Sequence, residues 1–299
     1  MMKALLLHVG ADHSTKNAMT LGVSGPIFQN DNNTFEFIPV LEFDENENAY
    51  FLKKEGRYIV INGGEECDKE AYTEESRTYS ELPARNIQFG KRLSEYLPIE
   101  YANAVIHSDP DFADFTYGDS INTPKGMQIR NLKENDYIFF VSSLAPYVKE
   151  AYDGRDKRRI CSYQKANMAK YVVGYFRVQD VFSAGKVSGD PKPYLFDPFD
   201  QTGKFAESKT DKVDLETLKR IKNNAHSKRG NDDYFIVVGH PSESALLTRA
   251  VKLTENGWPF KPAKIGFETY GDVGFPRGFK WIYDQERIQG LLNYCRSAN

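Results

Sequence analysis

Apolar positions in this chain fall in short runs divided by Gly-, Pro- and Asn-rich punctuation, the pattern of a protein with many strands. Residues 3–9 read as a buried first strand. Gly22–Ile27 reads as a loop, with Gly22, Gly25 and Pro26 as breakers. Alternation over Phe35–Val40 predicts a strand ending near Pro39. Residues 44–85 are polar and acidic, interrupted by Tyr58–Ile61 as a hairpin arm ahead of Asn62-Gly63-Gly64. Phe89, Leu93, Tyr96 and Leu97 have helical spacing and predict a short amphipathic helix.

Residues 102–181 read as strand, polar loop, strand (Asp136–Val141), basic insertion and strand (Tyr171–Val178). Residues 183–212, rich in Gly, Pro and Lys, predict an exposed excursion. Asp214 is placed to cap a helix carrying Leu215, Leu218 and Ile221 on one face. Tyr234–Gly239 is a buried strand, and His240–Ser244 is expected to turn into a helix bearing Leu246, Leu247 and Val251. Phe279–Tyr283 precedes a last helix, from Asp284, containing Ile288, Leu291, Leu292 and Cys295. Strands outnumber helices and the helices fall irregularly between them. This predicts an α+β fold with a curved mixed sheet or partial barrel and surrounding helices. No linker divides the apolar runs, so residues 1–299 are expected to form a single compact domain.

Composition narrows the function. A formal net charge of −3 supplies no global field for nucleic acid, so such binding must come from local patches. Basic residues cluster at Arg155, Lys157, Arg158, Arg159, Lys165 and Lys170, and again over 219–229. Aromatic content of 13% favours β packing and stacking surfaces. Three scattered cysteines form no Cys-x-x-Cys pair, which fits a reducing, cytoplasmic setting. The leading apolar run is short and broken by His8, and no run reaches the ~18–20 apolar residues of a membrane span.

Candidate chemistry concentrates in His107-Ser-Asp-Pro-Asp-Phe-Ala-Asp-Phe-Thr-Tyr-Gly-Asp119. On a continuing strand His107, Asp109 and Asp111 would share a face, though Pro110 interrupts it. Such a group suits general acid–base work or a divalent metal; an Asx-type loop with Asp109 and Asp119 on backbone amides is the structural reading. A metal-free polar pocket is the preferred one. Phe112, Phe115 and Tyr117 could stack a flat base or plug the core beneath the loop. Asn223, Asn224, His226, Lys228 and Arg229 gather donors for a phosphate or base edge, or complement a helix C-terminus. Ser242 and Ser244 follow a strand and could hold a phosphate or cap a helix. No Walker loop, Gly-x-Gly-x-x-Gly or Gly-x-Ser-x-Gly motif is present, and no cofactor is specified.

Several segments in order carry a family resemblance: Met2–Leu7, Gly25-Pro-Ile-Phe28, His107–Asp119, Leu132–Leu144, Tyr175-Phe-x-Val178, Asn224-Ala-His-x-x-Arg229 and Ser244-x-Leu-Leu247. The chain resembles the nucleotide modification associated domain 3 family, departing from it at Ser108 and Asn135. The resemblance implies a role in systems that make, remove or read modified nucleotides. The Asp136–Leu144 and Tyr171–Val178 pair is also similar to the strands of PUA-like barrels, including the EVE and ASCH types, which bind nucleobases; this places a PUA-like core around residues 102–181.

The expected function is therefore binding, with or without modification, of a nucleotide or modified base, free or in DNA or RNA. Phe115 or Tyr117 would stack the base and Asp109, Asp111 and Asp119 would read its donor edge or act as acid–base groups. Asn224 would add a polar contact. His107 and His226 would move protons or hold an acidic group of the ligand, and Arg229, Ser242 and Ser244 would hold a phosphate. Two alternatives stand beside it: a metal-dependent nuclease or phosphoesterase using His107, Asp109, Asp111 and His226, and a non-catalytic interaction protein. The oligomeric state is left open.

Overall fold

A computed structural model describes residues 2–10, 24–44, 49–55, 57–62, 65–67, 77–85, 92–186, 193–196, 213–226, 233–255 and 278–299. One long strand, β12 (Ala169–Lys186), organises it. Its first half pairs antiparallel with β11 (Tyr137–Pro146), Ile138 opposite Phe176. It also pairs with β15 (Ala245–Lys252), Val172 opposite Val251. β15 meets β3 (Thr34–Phe35) at Arg249 and Thr34, and β3 pairs with β2 (Gly25–Phe28). β2 then runs parallel to β11, Leu144 opposite Gly25. The circuit β12-β15-β3-β2-β11 closes, giving the α+β barrel expected from the strand pattern, with closure complete.

Other strands extend this frame. β1 (Ala4–His8) lies parallel to β11 and antiparallel to β16 (Phe279–Ile282). Flanked on both edges, Ala4-Leu-Leu-Leu7 is fully buried, which is why the run is apolar without alternation. The second half of β12 pairs with β14 (Tyr234–Gly239), and β14 with β10 (Thr116–Ser120). β13 (Pro193–Phe196) pairs with the end of β12. A separate sheet holds β5 (Phe43–Asp44), β6 (Ala49–Lys54), β7 (Arg57–Asn62) and β8 (Glu65–Cys67), and β4 (Val40–Leu41) pairs with β9 (Ile106–His107).

Helices cover this framework: α1 (Pro124–Ile129), α2 (Lys149–Tyr152), α3 (Lys157–Asn167), α4 (Leu215–Asn223) and a C-terminal helix, Gln285–Ser297. The last buries Ile288, Leu291, Leu292 and Cys295 on the main core, as its spacing predicts, and Asp284 caps it through the Arg287 amide. Asp214 caps α4 through the Thr217 amide. No described helix is long and apolar enough to cross a membrane.

Several local expectations are corrected. The segment after His240 makes a 3-10 turn, Pro241–Glu243, and then strand β15, not a helix. Its neighbours β12 and β3 offer open edges to pair with, and tertiary pairing overrides local propensity. Of the run Phe35–Val40 only Phe35, ending β3, and Val40, starting β4, lie in strands; between them the buried Glu36 accepts the Arg85 amide at 2.8 Å. Gly25 is a strand residue; a Cβ there would stand 2.3 Å from the Glu36 carbonyl, so close packing and not a turn explains it. Leu215 is 85% exposed, leaving Leu218 and Ile221 as the apolar contacts of α4. Residues 93–96 form a 3-10 turn, and residues 86–91 lie outside the described residues. The basic insertion contains α3, and several of its charges are structural: Lys170 is buried against His8 and Ser143, while Arg155 binds the Leu97 carbonyl. The predicted excursion begins as the end of β12 and includes β13; residues 187–192 and 197–212 lie outside the described residues.

Candidate functional site

β9 ends at His107, and the chain turns through a cis Asp109–Pro110 peptide before resuming as β10 at Thr116. Asp109 is folded back against β10, where the Gly118 amide donates to Oδ1 at 3.0 Å and Oδ2 at 3.2 Å. Asn224, the C-cap of α4, is fully buried and ties the site together. Its Nδ2 donates to Asp109 Oδ1 at 3.3 Å and to Thr116 Oγ1 at 3.1 Å; its Oδ1 accepts from the His226 amide at 3.0 Å.

The end of α4 thereby delivers His226 to Asp109. His226 Nε2 stands 3.4 Å from Asp109 Oδ2, and His107 Nε2 stands 4.0 Å from the same oxygen. The two imidazoles meet edge to face, ring centres 4.9 Å apart. One donor atom from each of His107, Asp109 and His226 lies within 4.8 Å of the other two. Behind His107, Nδ1 sits 2.9 Å from Glu42 Oε2, while the His226 ring stacks on Tyr234 at 5.8 Å. A Cβ on Gly118 would stand 2.9 Å from His226 Cδ2 and 3.0 Å from Asn224 Oδ1, so the approach of His226 requires glycine there. Burial pushes the His107 imidazole below its ordinary value, partly opposed by the charges of Asp109 and Asp119, and so favours the neutral ring.

The remaining predicted residues are arranged around this cluster. Asp111 faces its own loop: its Oδ1 accepts from the Ala113 and Asp114 amides at 2.8 and 3.2 Å, and its backbone bridges Thr116. Burial raises its carboxyl above the usual range, with those two amides opposing the shift. Phe112 plugs the barrel over Gly174, touching Phe37, Phe140 and Phe176. Phe115 adopts a left-handed φ of 49° and packs on Phe176. Tyr117 is 3% exposed and donates to Asp119 Oδ2 at 2.9 Å; burial, then the charge of Asp119, pushes its hydroxyl well up. Asp119 also accepts from Thr123 Oγ1. Ser242 Oγ pairs with His240 Nδ1 at 3.4 Å, and Ser244 Oγ accepts from the Arg177 amide at 3.2 Å; both lie on the 3-10 turn and its exit, not at a helix start. Arg229 lies outside the described residues.

Three residues that the sequence reading did not select complete the arrangement. Glu42 orients His107, and Gly118 makes room for His226. Arg220, 7% exposed, donates to the carbonyls of Asp114, Phe115 and Gly239 and to Gln179 Oε1. A signal existed for Glu42, an acid set within the apolar run Ile38-Pro-Val-Leu-Glu-Phe43.

Fold and site together define an α+β barrel protein whose two histidines and one aspartate are assembled from a strand end, a loop and a helix C-terminus. The chain belongs to the nucleotide modification associated domain 3 family, whose model matches residues 3–262 and so includes the whole cluster. No curated protein and no solved structure gives a significant match to it.

Proposed function

We propose that this protein binds a nucleotide or modified nucleobase, and performs chemistry on it, at the His107–Asp109–His226 centre, within a nucleic-acid modification system. Family membership supplies the context. The observation that carries the reading is the convergence of two imidazoles on one carboxylate oxygen, from segments more than a hundred residues apart. Buried groups held by second partners, as Asn224 and Glu42 hold these, are arranged as a reactive centre is.

In this reading Asp109 and the two histidines position and exchange protons with the bound group. Asp119 and Phe115, both half-buried, offer an acceptor and a ring edge to a base. The exposed side chains Arg158, Arg159 and Lys165 on α3 are available to phosphates if the nucleotide is part of DNA or RNA. The closed barrel is also a frame on which a PUA-like base pocket could be built, an analogy of architecture alone.

The test is thermal unfolding against nucleosides, 5′-nucleotides and short DNA and RNA oligomers with plain and modified bases. A ligand at 100 times its dissociation constant adds about 2.7 kcal/mol. Stabilisation of the wild type and not of His226→Ala is expected. No response to any of the panel, or equal responses in both proteins, would sink the reading.

A further inference from the structure

We infer that His107, Asp109 and His226 form a binding site for one first-row divalent transition metal, an assignment that builds on the reading of this cluster as the functional centre. Geometry comes first. Nitrogen and oxygen ligands about 2.0–2.2 Å from a shared ion stand roughly 3–4 Å from one another. The two Nε2 to Oδ2 separations, 3.4 and 4.0 Å, fall in that range, and the three donor atoms together lie within 4.8 Å of one another, so the side chains would rotate inward to close on an ion.

Hydrogen bonding gives the second argument. A carboxylate can only accept, so Glu42 Oε2 at 2.9 Å places the His107 proton on Nδ1. His107 Nε2 then turns a lone pair toward Asp109 Oδ2, 4.0 Å away, an arrangement that a cation between them would satisfy. Asp109 Oδ1 holds Asn224 Nδ2 and the nearer contact of the Gly118 amide; Oδ2 shares that amide at 3.2 Å and is the oxygen that faces both imidazoles. The Glu42–His107 pair has the form of the carboxylate that orients a ligating histidine, and Gly118 keeps clear the space His226 occupies. Asp111, its Oδ1 engaged by two amides, is not part of the set.

The donor set selects the ion. Two imidazoles and one carboxylate suit zinc, iron, cobalt or manganese over magnesium or calcium, whose sites are built from oxygens. Three protein ligands leave positions open for water or a substrate oxygen, as at catalytic centres.

Chelator-stripped protein, residues 1–299, is titrated with Co²⁺, followed by visible absorption and calorimetry, with Zn²⁺ and Mg²⁺ as competitors. One equivalent should bind, with d–d bands that Zn²⁺ abolishes and excess Mg²⁺ does not. His226→Ala should remove the bands. Should that variant fail to fold by circular dichroism, Glu42→Gln carries the same test, with affinity lowered about 10–100-fold. Absence of stoichiometric Co²⁺ binding to the wild type, displacement by Mg²⁺, or unchanged binding in a folded variant would overturn the assignment. The two proposals fail separately. Co²⁺ binding without any nucleotide response defeats only the functional reading, and a nucleotide response in protein that takes up no Co²⁺ defeats only the metal site.

Discussion

Asp109 and Asp111, two residues apart, have opposite fates. Asp109 points at the imidazoles, whereas Asp111 closes a turn on the Ala113 and Asp114 amides. Their difference comes from the chain leaving strand geometry after His107, so alternation no longer decides which side chains share a face. Asp111→Ala should therefore behave as a structural change. Losing the turn acceptor should cost about 1–2 kcal/mol in urea unfolding, by analogy with a lost helix cap. Co²⁺ affinity of the folded variant should stay within about twofold. A variant of unchanged stability that no longer bound metal would place Asp111 in the centre after all. In the sequence the two carboxylates of Asp-Pro-Asp stand together in the candidate set; the two histidines are grouped in the metal-ligand alternative by residue type, without the contact that joins them. His226 reaches His107 only because Asn224 caps α4 and turns the chain there, a long-range contact that no local pattern encodes.

Helix α4 is fixed to the site by Arg220, whose guanidinium joins the helix to the 109–115 loop, the end of β14 and β12 through Gln179. Burial lowers its pKa, but an arginine stays charged in any accessible range, so its four acceptors remain satisfied. Arg220→Met preserves length and removes every donor. The Phe115 carbonyl keeps the Gly239 amide, but loss of the other guanidinium contacts should cost about 2–4 kcal/mol and should loosen the loop that carries Asp109. Denaturant unfolding with proteolysis of the native protein reads both, and a change below about 0.5 kcal/mol would show that the clamp is dispensable. At this scale the strong apolar runs were readable: β1, β11, the first half of β12, β14 and the C-terminal helix all lie where their patterns put them. β2 and β15 were not, because each exists by pairing with edges far away in the chain. Barrel closure, which depends on those two strands, was visible only as a general curvature.

For the whole molecule the 18 tyrosines matter beyond their role in β packing. Tyr79 is fully buried with its hydroxyl donating to the Pro39 carbonyl at 2.6 Å, and Tyr171 is 1% exposed in the barrel. Burial, reinforced by the charge of Glu255, pushes the Tyr171 hydroxyl up to about 12, while burial drives those of Tyr79 and Tyr117 well above 10.0. A group whose pKa is raised in the folded state holds its proton there longer than in the unfolded chain. Its contribution is complete below the unfolded value, near 10, and is lost as pH rises through the folded value. Unfolding free energy should thus be flat in this respect to about pH 10 and fall from there toward pH 12, by about 2 kcal/mol for Tyr171 alone. Urea titrations across that range test the slope, with Tyr171→Phe as the control that should make it shallower. A wild-type profile level from pH 9 to 12, or a Tyr171→Phe profile just as steep, would mean that the barrel admits a tyrosinate where the packing leaves it no water. The same burial that gives the strands their aromatic character is therefore expected to weaken the fold in alkali.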